Sequence, residues 1–146
     1  MKVGELYERD FVRWTARNAD LLRERRFDEI DLEHVAEEIE DMGRERQHAL
    51  RSQLRRLLAH LLKYEFQPAK RSTSWLSSIA NARIEIADLL EENPSLKRKV
   101  ETAIKDGYPK AARLASIETK LPDSTFPPAC AYSARQILDP DFLPEG

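Results

Sequence analysis

Between Asp31 and Pro68 nothing in the chain obliges a helix to stop. The thirty-five residues from Leu32 to Phe66 contain no proline and a single glycine, Gly43. At 1.5 Å per residue that is a rod of about 52 Å, longer than a small domain is wide, so whatever else folds must pack along it. Asp31 supplies an N-cap, since a short acidic side chain can accept from the free N–H groups of a first turn. Pro68, which has no N–H to donate, ends the helix. The apolar stripe runs through Leu32, Val35, Ile39, Met42, Gly43, Arg46, Ala49, Leu50, Gln53, Leu54, Leu57, His60 and Leu61. Leu58 and Leu62 widen it, so the second half is expected to be covered on two sides. Gly43 lies on the stripe, where it either permits close helix approach or marks a kink. Charge divides along the rod: Asp28 to Asp41 holds eight acids and no Lys or Arg, and Arg44 to Arg56 holds five Arg and one Glu.

The remaining segments also repeat near 3.6 residues, with no run of period two. One helix is predicted from about Glu5 to Arg25, with Tyr7, Phe11, Trp14, Asn18, Leu21 and Leu22 on its stripe. Another follows the Lys70–Ser74 segment, carries Trp75, Leu76, Ile79, Ala82, Arg83, Ile86, Leu89 and Leu90, and ends at Asn93–Pro94. A fourth begins at Ser95 and is predicted to be interrupted by Gly107 and Pro109. A fifth starts at Pro109, the residue favoured at a first helical position, and runs to about Lys120. The tail, 121–146, is proline-rich yet carries Phe126, Tyr132, Ile137, Leu138, Phe142 and Leu143. Those side chains are too apolar for a free linker, so the tail is expected to wrap back, with one helical turn near Ser133–Leu138. The expectation is one all-α domain over 1–146, an antiparallel bundle of about five helices within 1–120 and an irregular C-terminal wrap.

Composition narrows the function classes. Twenty-four Lys and Arg against 26 Asp and Glu give a net charge of -2, with no overall pull toward nucleic acid or an acidic membrane. Cys130 is the single cysteine, which rules out an intrachain disulfide and a cysteine-rich zinc site. The sequence lacks both a membrane-length apolar run and a signal-peptide pattern, so a soluble, reduced, cytoplasmic protein is expected.

Several segments carry a resemblance. They are Leu6-Tyr-Glu-Arg-Asp-Phe-Val-Arg-Trp14, the acidic run from Phe27 through Asp41-Met-Gly43, and His60-Leu-Leu-Lys-Tyr64. Arg71-Ser-Thr-Ser-Trp75, Asn93-Pro-Ser-Leu96 and Leu138-Asp-Pro-Asp-Phe-Leu-Pro144 complete the set. In that order and spacing the chain resembles a bacterial family known only as domain of unknown function 29. Tyr64 departs from it, standing where the family has Trp, a change that keeps an amphipathic aromatic. The resemblance implies a small, helical, soluble protein and brings no activity, cofactor or catalytic residue.

Polar residues on apolar stripes are the candidates for chemistry. Arg46 and His60 on the long helix and Arg83 on the next one fall on core faces, and Glu38 and Glu40 flank the stripe. A buried guanidinium needs a partner, and Glu38, then Glu40, is the expected one for Arg83. Glu38, Arg46, His60 and Arg83 thus form a candidate polar cluster, either a register-fixing network or a small acid/base pocket, the former preferred. Lys70, Arg71, Ser72 and Ser74 precede a helix N-terminus and offer an anion site; an N-cap in a solvated loop is the plainer reading. His34 with Glu38, and Glu37 with Asp41, are i, i+4 pairs, but no Glu-x-x-His or His-Glu-x-x-His motif accompanies them, so no metal or other cofactor is expected. Arg17, Arg23, Arg25, Arg26, Arg44, Arg51, Arg55 and Arg56 are interleaved with acids, which favours intrachain pairing over nucleic-acid binding. Cys130 has no His nearby in sequence and reads as a structural thiol. No Gly-x-Ser-x-Gly elbow, phosphate loop or dinucleotide fingerprint occurs.

With no complete catalytic set and a surplus of Leu and aromatic residues, the sequence leans away from an enzyme. It points to an interaction module acting through protein contacts or self-association. The alternative is a small enzyme or anion-binding protein built on the polar cluster.

Overall fold

The computed structural model describes residues 2–145. Six α-helices are present, α1 Val3–Arg9, α2 Phe11–Arg23, α3 Leu32–Phe66, α4 Thr73–Glu92, α5 Val100–Thr119 and α6 Ala134–Leu138, with three short 3₁₀ turns and no strand among the described residues. The fold is all-α. The chain forms two compact units, Met1–Glu45 and Arg46–Gly146.

In the first unit the helix expected over Glu5–Arg25 is two helices. Asp10 breaks it: its carboxylate accepts from the Arg13 N–H at 3.1 Å and caps α2. A short acidic side chain gains more at a cap than inside a helix, where it competes with the backbone. Helix α2 ends in a Schellman motif, with the Arg26 N–H on the Leu21 carbonyl and the Arg25 N–H on that of Leu22. Arg25 takes the left-handed conformation, φ 60°, usually left to glycine. The core here is slight: Trp14, Asn18 and Leu21 are the buried residues of α2, and α1 has none. Asn18 belongs to the core by serving the backbone, donating to the Trp14 carbonyl at 2.9 Å and accepting from the Asp31 N–H at 2.9 Å.

The second unit holds the main apolar core. Leu50, Leu54, Leu57, Leu58, Leu61 and Leu62 of α3 are essentially sealed, as are Ile86 of α4, Ala111 and Ala115 of α5 and Ile137 of α6. The doubled Leu rows do cover two sides. Ser72 caps α4 by accepting from the Trp75 N–H. Trp75, which the helical spacing groups with Ile79, Ala82 and Ile86, is only half-buried, and its ring receives Lys63 Nζ at 5.1 Å. Lys63 is buried and pairs with Glu118 at 2.7 Å.

Helix α5 continues through Gly107 and Pro109, correcting the expected break. An internal proline forgoes one hydrogen bond and costs about 3 kcal/mol. Ala103, Ile104 and Tyr108 before it, and Ala111 and Ala115 after it, are buried on one face, and that burial holds the axis. The tail wraps onto the core as expected. Ser133 and Gln136 form a reciprocal capping box for α6, Phe126 packs edge-on against Phe66 at 5.3 Å, and Ile137 is fully enclosed.

Candidate functional site

Helix α2 and the first turns of α3 form an open groove of about 400 Å³. Its walls are Phe11, Trp14, Thr15, Asn18, Ala19 and Leu22 on one side, and Val35, Glu38, Ile39 and Met42 on the other. The stripe read as core is therefore solvent-facing here: Phe11 is 47% exposed, Ile39 58%, Met42 57% and Leu32 68%. Val12 and Leu22 are exposed beside them. Glu38 is the one ionisable side chain on the walls.

Beneath the groove an aromatic and polar network joins the three helices of this unit. The Tyr7 hydroxyl donates to Glu38. Trp14 Nε1 donates to Asp31 Oδ2 at 2.9 Å, and His34 Nδ1–H donates to the same oxygen at 2.7 Å. Tyr7 and His34 stack at 3.9 Å between ring centroids, and the Phe11 and Trp14 rings stack at 5.4 Å. The Asp31 hydrogen bond, reinforced by the charges of Asp31, Glu37 and Glu33, raises the His34 pKa above its usual value. Burial pushes the Asp31 carboxyl up, but the bonds from Trp14 and His34 outweigh it and leave it lowered. Tyr7 is pushed up to about 12, chiefly because its hydroxyl serves Glu38. So few apolar side chains are enclosed in these forty-five residues that directed bonds do much of the holding.

The residues singled out from sequence have separate tasks. Glu38 belongs to the first unit and serves Tyr7. Arg46, expected on a core face, is exposed and pairs with Glu92 at 3.2 Å. His60 is half-buried; its Nδ1–H donates to the Arg56 carbonyl at 2.9 Å, and burial lowers its pKa. Arg83 is buried as expected, but its partner is not a carboxylate. Its Nε donates to the Ile137 carbonyl at 2.8 Å, with the Pro140 and Gln136 carbonyls at 3.5 and 3.4 Å. Carbonyls of the returning tail reach it because α6 ends there, at Leu138, and last-turn carbonyls lack helical donors; the Gln136 carbonyl also accepts from the Asp139 N–H at 3.2 Å. Glu40 pairs with Arg44. Of the anion candidates, Ser72 is spent as the α4 cap, and Lys70 and Ser74 are exposed. Arg71 lies over the Tyr64 ring at 4.1 Å and donates Nε–H to the Tyr64 carbonyl; its Nη2 is enclosed without a partner. Among the described residues no three potential ligands converge as for a metal ion. Burial raises the Cys130 thiol, whose Sγ approaches the Tyr132 carbonyl at 3.5 Å.

Residues 6–143 match the family model described as Domain of unknown function DUF29. The chain belongs to the DUF29 family. The match spans both units, so groove and core are both DUF29 territory. Comparisons with curated proteins and with solved structures give no match. No helix is long and apolar enough to cross a membrane among the described residues.

Sequence reasoning missed Tyr7, Trp14, Asp31 and His34 as a unit. The available signal was a cap residue, Asp31, three positions before a histidine, with an indole one helix away.

Proposed function

We propose that this DUF29 protein is a docking module whose first unit receives a basic amphipathic helix of a partner protein. The carrying observation is the groove between α2 and α3, apolar but for Glu38, with large apolar side chains left in water. Apolar faces of this kind on small soluble units mark interaction sites. Two helical walls fit a third helix, read through anchors at i, i+3 or i+4, and i+7. Thirteen residues of α2 give about 20 Å of wall and Val35 to Met42 of α3 about 12 Å, enough to hold about two turns of a ligand helix on both sides. Charge selects the partner's polar face. The first unit holds eight Lys and Arg against fourteen Asp and Glu, a net charge of −6. Glu33 and Glu37, exposed on α3 one position along from Leu32 and Ala36, make no ion pair with a described residue.

The test uses a Trp75→Phe background, leaving Trp14 as the fluorescent reporter. A synthetic amphipathic peptide with a Leu stripe and a Lys-rich polar face is titrated in, beside the same stripe with a Glu-rich face. Saturable binding of the basic peptide, at least about tenfold tighter than the acidic one at low salt and abolished by Ile39→Glu, is expected. Equal binding of the two peptides, or binding indifferent to Ile39→Glu, overturns the reading. A dimer dissolved by Ile39→Glu also overturns it and makes a second copy the occupant.

A further inference from the structure

In the second unit a cavity of about 280 Å³ is lined by Gln47 and Arg51 of α3, Arg98 and Lys99 of the 3₁₀ turn Pro94–Lys99, and Thr102 of α5. Leu50, Leu96 and Ala103, all buried, also line it. Asp106 is its one acid. Arg23, Arg26, Arg44, Arg46 and Arg113 each find a carboxylate within 4 Å. Arg51, Arg98 and Lys99, all exposed, make no ion pair with a described residue, as is true of most of the chain's Lys and Arg; what sets these three apart is that they share one concavity. Three cations around one concavity, with no carboxylate closing on them, repel one another and focus a positive potential into it. Guanidinium forks present paired N–H groups at the spacing of phosphate oxygens, and a threonine hydroxyl and a glutamine amide add neutral donors. The volume equals about nine waters at ~30 Å³ each, more than one tetrahedral anion fills. Apolar residues line the remainder.

We propose that this cavity binds a small organic phosphomonoester, its phosphate held by Arg51, Arg98 and Lys99 and its organic body laid along the aliphatic stems of those side chains, over the edges of Leu96 and Ala103. None of these residues lines the groove of the first unit, so the two sites are tested separately. The full-length ¹⁵N-labelled protein is titrated with adenosine monophosphate, inorganic phosphate and adenosine, reading amide shifts and the heat of binding. Saturable shifts centred on Leu96, Lys99, Thr102 and Ala103 are expected, with the nucleotide tighter than phosphate and adenosine weakest. The double variant Arg98→Gln, Lys99→Gln weakens nucleotide binding by about tenfold or more, as losing charge-assisted bonds should. Lys110→Gln, an exposed α5 cation outside the cavity, leaves it unchanged. No saturable shift at millimolar ligand, or equal binding by the double variant, overturns the site. Equal affinity for phosphate and the nucleotide overturns the role of the apolar lining. A single-stranded oligonucleotide binding at least about tenfold tighter, with a steep salt dependence, overturns the small-ligand assignment in favour of nucleic acid.

Discussion

Replacing Arg83 with alanine tests what fastens the tail. The guanidinium makes one short bond, to the Ile137 carbonyl at 2.8 Å, and two longer approaches at 3.4 and 3.5 Å. The short bond is charge-assisted and buried, worth about 1.5–3 kcal/mol; the longer two lie at the edge of useful geometry and add little. Loss of the alkyl stem's packing adds to the deficit. Burial lowers the Arg83 pKa, so removing the cation also relieves some desolvation. The expected net loss is about 2–3 kcal/mol in urea denaturation of the full chain. Arg83→Lys should restore less than half of it, because an ammonium cannot fork across neighbouring carbonyls. Ile137, fully enclosed beside this bond, should lose about 2–5 kcal/mol as alanine. If Arg83 seats the tail, the two variants share that loss, and a double-mutant cycle shows coupling above about 0.5 kcal/mol. A single-variant cost below about 0.5 kcal/mol, together with additivity, refutes the reasoning.

Trp14 and Trp75 should separate in stability measurements: Trp14→Ala costs about 3–5 kcal/mol in the unfolding of its own unit, and half-buried Trp75→Ala costs less, with equal costs counting against the burial pattern. Gly43→Ala should stabilise by about 0.5–1 kcal/mol, since a Cβ there meets nothing within 4 Å and the helix gains a better former; a lower melting temperature would show that the position needs its glycine. The pH dependence follows from opposite shifts. His34, raised from 6.5, contributes its full stabilisation below pH 6.5 and loses it as pH climbs through the raised value. Asp31, lowered from 3.8, contributes above pH 3.8 and loses its share as pH falls through the lowered value. Thermal unfolding followed by Trp14 fluorescence should therefore be latest between pH 3.8 and 6.5 and earlier at pH 8, and His34→Gln should flatten the alkaline side.

The long helix and its end were readable because neither a proline nor a loss of periodicity falls between Leu32 and Phe66, and both signals are local. The doubled Leu rows after Leu50 likewise announced a two-sided core. Leu32, Ile39 and Met42 looked the same on paper as Leu54 and Leu61, and they are exposed. Periodicity says which face of a helix is apolar, and only the neighbouring elements say whether it is covered. Pro109 misled in the opposite direction, because a breaker can be overruled by burial on both sides of it. Arg83 was correctly expected to be buried and wrongly matched to a carboxylate, since main-chain acceptors of a distant tail leave no trace in side-chain pattern. The cavity near Thr102 went unseen for a related reason: Arg51 and Arg98 are 47 positions apart, and only the fold puts both on its lining.

The two units also differ in sign. Residues 46–146 carry sixteen Lys and Arg against twelve Asp and Glu, +4, beside −6 for residues 1–45. The total of -2 is thus a difference between two larger numbers. In physiological salt a charge is felt over about 8 Å, so an approaching molecule or resin samples the unit it touches, and not the sum. An isoelectric point near 6.0 describes how the chain focuses in a gel. It does not describe what the chain sticks to: residues 1–45 favour an anion exchanger and residues 46–146 a cation exchanger.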